Sequence, residues 1–319
     1  MRIQERYGLS GSIVIFGVQD VMLSHEEVEN VFAEANFRFR PIEKNARRFS
    51  ASKLQAILED MFKLKDPIHV HDLFTMMNFR EVTTLDAFDT ENPTIVHDLN
   101  KPIPDAYHGK YDVVLDIGVM EHVFDVKQFV RNCIYLLRHE GVLMLFVPLF
   151  GWHNECFYNF QPPFFFDVFS ANGFDNISLY LNYFPKYYDF GKRKTTWLRF
   201  EYGDRVKFQR NNHFTMCLFV ARKSRVLPEF VSPLQQSYKE YHDDWKAERT
   251  KQAAGDSLST KSPPSHWIIE NMPMAVRRML FVLAPIYRAL PPSLRVPIVD
   301  KLVHLKNRSK LAGREKIRC

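Results

Sequence analysis

The chain has 319 residues, 46% of them apolar, with 43 Lys and Arg against 37 Asp and Glu. That apolar content can bury one large α/β domain plus an appendage, which excludes disorder throughout. The formal charge of +6 is concentrated in the tail: residues 271 to 319 hold eleven Lys and Arg against Asp300 and Glu315, so the main body is slightly acidic and lacks the clustered positive charge of a general nucleic-acid-binding surface.

Cys133, Cys156, Cys217 and Cys319 form no CxxC pair, so neither a structural zinc site nor a disulfide framework is expected, and a reducing cytosol is the default. The opening stretch MRIQERYGLSGSIVIFG contains no uninterrupted apolar segment long enough for a signal peptide or a membrane span. The expectation is a cytoplasmic protein.

In chain order, GSIVIFG reads as a short buried strand ending at Gly17. VQDVMLSHEEVENVFAEA then has helical spacing, with Ser24 and Glu27 placed for a capping box. A basic irregular stretch leads to a second helical run, SASKLQAILEDMFK, and HDLFTMMNF is a third. REVTTLDAFD and TIVHDLN are strands ending near Asp86 and Asp98. KYDVVLDIG is another strand, DVKQFVRNCIYLLRHEG a helix capped by Asp125 and closed by Gly141, and VLMLFVP a wholly apolar strand.

PPFFFDVFSANGF is predicted to be a helix started by proline and stopped at Gly173. NISLYLNYF and HFTMCLFVARK are the last two strands, separated by a polar, basic excursion that includes GKRKTTW. Strands separated by helices imply crossovers and a doubly wound, mostly parallel sheet. The division expected is an α/β domain over 1–224, a solvated helix and linker over 225–265, and a basic helical tail over 266–319.

In such a sheet, ligands lie outside the carboxyl ends of the strands. Gly17, Asp86, Asp98 and Asp116 each close a predicted strand, so the fold would gather them at one rim, and an acid after the second strand suits a ribose diol.

Here a resemblance enters. TLDAFD, HDLNKPIP, YDVVLDIGVMEHVFD and LLRHEGVLMLFVP, in that order, resemble the second through fifth strand motifs of the class I S-adenosylmethionine-dependent methyltransferases. The resemblance covers about residues 11 to 223. It implies a Rossmann-like sheet of seven strands in the order 3-2-1-4-5-7-6, mostly parallel with the last antiparallel, and S-adenosylmethionine as cofactor. It further implies that Asp86 holds the ribose, that Asp98 faces the adenine amino group with Leu99 as the neighbouring backbone contact, and that the segment Asp116–Val119, with Gly118, passes under the methionine part. Glu121 and His122 match the Glu-His pair that follows. One departure stands out, because the turn after the first strand reads IFGVQDVMLS and has Gly17 alone where the family carries a glycine-rich loop.

His122 is the candidate general base, since an unperturbed imidazole titrates near physiological pH, and Glu121 is its orienting or structural neighbour. Both also suit an ordinary helix entry. GWHNECFYNFQPPFFF mixes polar groups with rings at the rim and reads as a substrate pocket or as an aromatic loop packed on the sheet. HVHD, His69 to Asp72, lacks a third ligand, so no metal site is expected, and Cys156 has no evident base or orienter. The activity these readings imply is methyl transfer to a small molecule, a sugar or a lipid-linked glycan, with no nucleic-acid partner. The alternative is a non-catalytic binding or scaffold protein of the same fold. In the tail, Pro285, Pro291, Pro292 and Pro297 break the apolar run into pieces too short to span a bilayer, which leaves peripheral membrane contact or docking on the main body.

Overall fold

The computed structural model describes residues 3–21, 23–42, 67–184, 196–204 and 214–253. The helix expected at SASKLQAILEDMFK and the basic tail over 266–319 lie outside the described residues.

The chain divides into two compact units, residues 1–233 with 317–319 and residues 234–316. In the first, a short helix α1 (Ile3–Tyr7) precedes β1 (Gly11–Phe16), followed by α2 (His25–Glu34), α3 (Val70–Met76), β2 (Phe79–Asp86) and β3 (Ile95–Val96). Then come β4 (Tyr111–Ile117), α4 (Val126–Leu136), β5 (Leu137–Phe150), α5 (Pro162–Ala171), β6 (Phe174–Phe184), β7 (Thr196–Phe200) and β8 (Phe214–Lys223). The described part of the second unit is α6 (Gln236–Ala253), a polar helix with Tyr238 and Trp245 exposed.

The sheet order is β3-β2-β1-β4-β5-β8-β6-β7. β1 to β5 run parallel, and β8 pairs antiparallel with both β5 and β6. This matches the expected order apart from an eighth strand. β7, the segment TWLRF, pairs antiparallel with β6 at the edge. Along the sequence Thr196 and Trp197 belong to a polar excursion, because an edge strand solvated on one side carries too few apolar residues to announce itself.

Strand alternation builds a core on each side of the sheet. Val14 and Phe16 share one face with Val114, Leu143 and Leu145, covered by Phe129 and Cys133 of α4 and Phe165 and Phe169 of α5. Ile13, Ile15, Val113 and Leu115 face the other way, onto Tyr7, Val70 and Phe74. The helices start as their sequences dictate. Ser24 and Glu27 form a reciprocal capping box on α2, the Asp125 side chain accepts the Gln128 N–H on α4, and Pro162 opens α5. One boundary differs: α4 ends at Leu136, and the residues up to Gly141 already belong to β5. Two carbonyls at this helix-to-strand junction, those of Ile134 and Leu137, accept from the buried Lys223 ammonium at 2.6 and 2.7 Å, so no glycine is needed to end the helix.

Candidate functional site

The parallel ladders bring the strand exits to one rim. Phe16 lies between Leu85 of β2 and Asp116 of β4, and Asp86 lies beside Val96 of β3. The ladders run one residue further: Gly17 N–H donates to the Leu85 carbonyl at 2.8 Å, His97 N–H to the Asp86 carbonyl at 2.7 Å, and Gly118 N–H to the Phe146 carbonyl at 3.0 Å. Gly17 and Asp86 are therefore neighbours across the sheet, with Gly118 just past the end of β4 on the adjacent strand and Asp98 just past β3.

Gly17 is buried and has φ +75°, and a Cβ there would stand 2.8 Å from the Gln19 side-chain nitrogen. That nitrogen donates to the Phe16 carbonyl at 2.8 Å, so the Gln19 carboxamide closes the end of β1 in place of a glycine-rich loop. Asp86 is half-buried. Its Oδ1 accepts the Phe88 N–H at 3.0 Å, and its second oxygen has no partner among the described residues. Asp20 and Glu91 stand close by, and burial lifts both carboxyls above their ordinary range, Glu91 further through the charges of Asp20 and Asp86.

Asp98 adopts the turn geometry of an Asx motif. Its Oδ1 accepts from both nitrogens of Asn100, which hold the carboxylate below its ordinary pKa, and Lys101 stands at 3.8 Å from Oδ2. Leu99 is buried, with its carbonyl accepting from Asn132 at 3.0 Å. The fully buried Asn132 also bonds the Lys101 carbonyl, the Ile103 N–H and Gln128, and so fastens the whole loop after β3 to α4.

Asp116 does not emerge at the rim. It shares the face of Val114, packs beneath α4 and is fully buried. Its oxygens accept the N–H groups of Val119 at 3.0 Å and Met120 at 3.2 Å, which folds residues 120–122 into a 3-10 turn. Glu121, 5% exposed, is a second buried carboxyl close enough to feel the Asp116 charge, and its Oε2 has no hydrogen-bond partner among the described residues. Burial raises Asp116 to a pKa of about 7 and, with the Asp116 charge, Glu121 to about 8. His122 is exposed at the end of the same turn.

The loop after β5 lies against this turn. Phe157 N–H donates to the Glu121 carbonyl and the Tyr158 hydroxyl to the Phe124 carbonyl, each at 3.0 Å. The Cys156 thiol is pushed up, first by burial and then by Glu121, and bonds the Tyr158 carbonyl, which does not favour a nucleophilic thiolate. His69 caps α3 through the His71 N–H, and among the described residues no cluster of His, Cys, Asp and Glu could hold a metal. No helix among the described residues is long and apolar enough to cross a membrane.

Gln19, Asp20, Glu91 and Asn132 were not singled out from the sequence. Only Asn132 left a signal there, as a polar residue on the apolar face of VRNCIYLL.

No family model matches the chain. Two curated proteins of Mycobacterium tuberculosis, from strains CDC 1551 and H37Rv, each named a probable S-adenosylmethionine-dependent methyltransferase, are 45% identical to it over 47 residues. That match takes in 15% of this chain and spans 16% of the length of those relatives. Among solved structures, a methyltransferase of Thermotoga maritima is 10% identical over 67% of this chain and 83% of its own, with TM-score 0.34. One of Bacillus halodurans is 12% identical over 70% and 97%, also with TM-score 0.34. A stretch of this chain is thus related in sequence to S-adenosylmethionine-dependent methyltransferases.

Proposed function

We propose that the chain is a methyltransferase that uses S-adenosylmethionine and holds it along the carboxyl rim of β1, β2, β3 and β4. The observation that carries this reading is the placement of Gly17, Asp86 and Gly118 on adjacent strand exits, with the Asp98–Leu99 turn past β3 beside them.

The residues fit such a cofactor in three respects. Gly17 leaves bare backbone at a position with no room for a Cβ. Asp86 is half-buried and keeps one carboxylate oxygen without a partner among the described residues, as acceptance of a ribose hydroxyl requires. The turn after β3 is fixed by Asn132, so Asp98 and the Leu99 backbone are held for an adenine edge. Asp116 is assigned a positioning role, since its oxygens are used in shaping the turn that carries Gly118, Glu121 and His122.

The cofactor supplies an electrophilic methyl group. His122 takes the proton of an acceptor hydroxyl or amine at the β4 exit, and the ordered rim aligns that acceptor, with proximity providing most of the rate. The acceptor is proposed to be a small molecule, a sugar or a lipid-linked glycan rather than nucleic acid.

A second reading, a binding protein that has kept the fold without the chemistry, is favoured by one feature: the Gln19 carboxamide lies over Gly17. Calorimetry with S-adenosylmethionine and S-adenosylhomocysteine separates the two. The enzyme reading expects binding that weakens about tenfold or more in Asp86→Ala, the loss of a charge-assisted hydrogen bond. No heat with either compound selects the scaffold.

A further inference from the structure

We propose that the buried carboxyl pair Asp116–Glu121 is a charge reader: it favours a ligand with a positive charge at the β4 exit and releases a proton when that charge arrives. The proposal rests on the methyltransferase reading, in which the cofactor is a sulfonium cation and its by-product is a neutral thioether.

Two carboxyls occupy one pocket, Asp116 fully buried and Glu121 5% exposed. Among the described residues, the groups that act on them electrostatically bring no positive charge. Besides the pair itself these are the Cys133 thiol from α4 and the Cys156 thiol from the loop after β5, both pushed up by burial and by the carboxyls, and hence neutral. His122, next in the chain, points to solvent as an exposed side chain.

Like charges this close cannot both ionise cheaply, so the pair retains a proton at neutral pH. Two backbone N–H donors favour the ionised form of Asp116, whereas Glu121 has only its own N–H, and its Oε2 has no partner among the described residues. The proton therefore resides on Glu121.

Gly118, which has no side chain, adjoins that group: a Cβ on it, at φ +78°, would meet Glu121 Oε1 at 3.4 Å, an ordinary van der Waals contact. A cation arriving there offsets the repulsion between the carboxyls and lets the second one ionise. A neutral ligand of the same shape leaves the proton in place.

S-adenosylmethionine and S-adenosylhomocysteine are suitable probes because they share the same amino and carboxylate groups and differ by the methyl and its charge. Titration of the full chain with each, in phosphate and in Tris at pH 7.5, counts protons from the dependence of heat on buffer ionisation. The expected result is more protons released with the methylated compound. The ratio of Kd for the by-product to Kd for the cofactor should also rise about threefold to tenfold from pH 6.5 to 8.5. Glu121→Gln keeps the volume, removes the proton and should abolish both differences. If that variant does not fold, the wild-type ratio decides alone. Equal proton counts with a flat ratio overturn the charge reader while leaving the methyltransferase reading intact; absence of binding by both compounds overturns the two together.

Discussion

Phe157 donates its backbone N–H to the carbonyl of Glu121 at 3.0 Å, which ties the loop after β5 to the turn after β4. The Tyr158 hydroxyl adds a second tie to the Phe124 carbonyl, and the exposed rings of Phe124 and Phe157 meet edge to face with centroids 6.0 Å apart. Two loops separated by some thirty residues thus form one wall of the rim.

Tyr158→Phe removes one tie and keeps the ring. Because the bond is solvent-accessible, the cost in global stability is about 0.5–1 kcal/mol by urea denaturation. Locally the effect is larger, and the Phe157 amide is expected to exchange its hydrogen faster than in the parent chain. Unchanged exchange at Phe157 would mean that the backbone bond holds the wall alone.

The buried pair sets a pH dependence of stability. Asp116 and Glu121 have folded-state pKa values raised to about 7 and about 8, above the ordinary carboxylate range. Between that ordinary range and pH 8 the folded chain binds more protons than the unfolded one, so this contribution is fully present in acid and is lost as pH rises. The thermal midpoint should fall from pH 5.5 to 8.5 through this pair, and Glu121→Gln should flatten the slope. A slope of the same size in the variant would assign it to other groups.

Asp116→Ala leaves the N–H groups of Val119 and Met120 without their acceptor beneath α4. Each buried donor left unmade costs about 1–3 kcal/mol, so the two together cost roughly 2–6 kcal/mol, partly offset by relief of the repulsion with Glu121. Asp116→Asn keeps one acceptor oxygen and should lose less. Denaturation midpoints of the two variants, compared at pH 6, test the order.

Gly17→Ala meets two obstacles, a backbone at φ +75° and the Gln19 nitrogen at 2.8 Å. The backbone strain is about 1–3 kcal/mol, and the contact adds to it. Gln19→Ala alone loses the bond to the Phe16 carbonyl, about 0.5–1.5 kcal/mol. The double variant should cost less than the sum of the single ones, because removing Gln19 clears the contact. Strict additivity in chemical denaturation would show that the two side chains do not meet.

Much of this molecule is legible along the chain, because the rules that place it are local. Alternation of apolar residues with helical runs gives the doubly wound sheet, and Ser24, Asp125 and Pro162 mark helix starts through bonds and ring constraints within a few residues. The candidate rim residues Gly17, Asp86 and Asp98 follow from strand ends alone, since parallel strands deliver their exits to one edge, and Gly118 follows from the resemblance of the segment after β4. Asp116 sits at such a strand end too, but its side-chain direction depends on which face α4 covers, and that placed it under the helix with its oxygens used by the turn. TWLRF became a strand only because β6 offered a free edge. Gln19 over Gly17, Asn132 under the loop after β3, and the buried Glu121 carboxyl beside Asp116 came from tertiary structure as well. Burial and the supply of hydrogen-bond partners are set by neighbours distant in sequence, and no pattern read along the chain contains them.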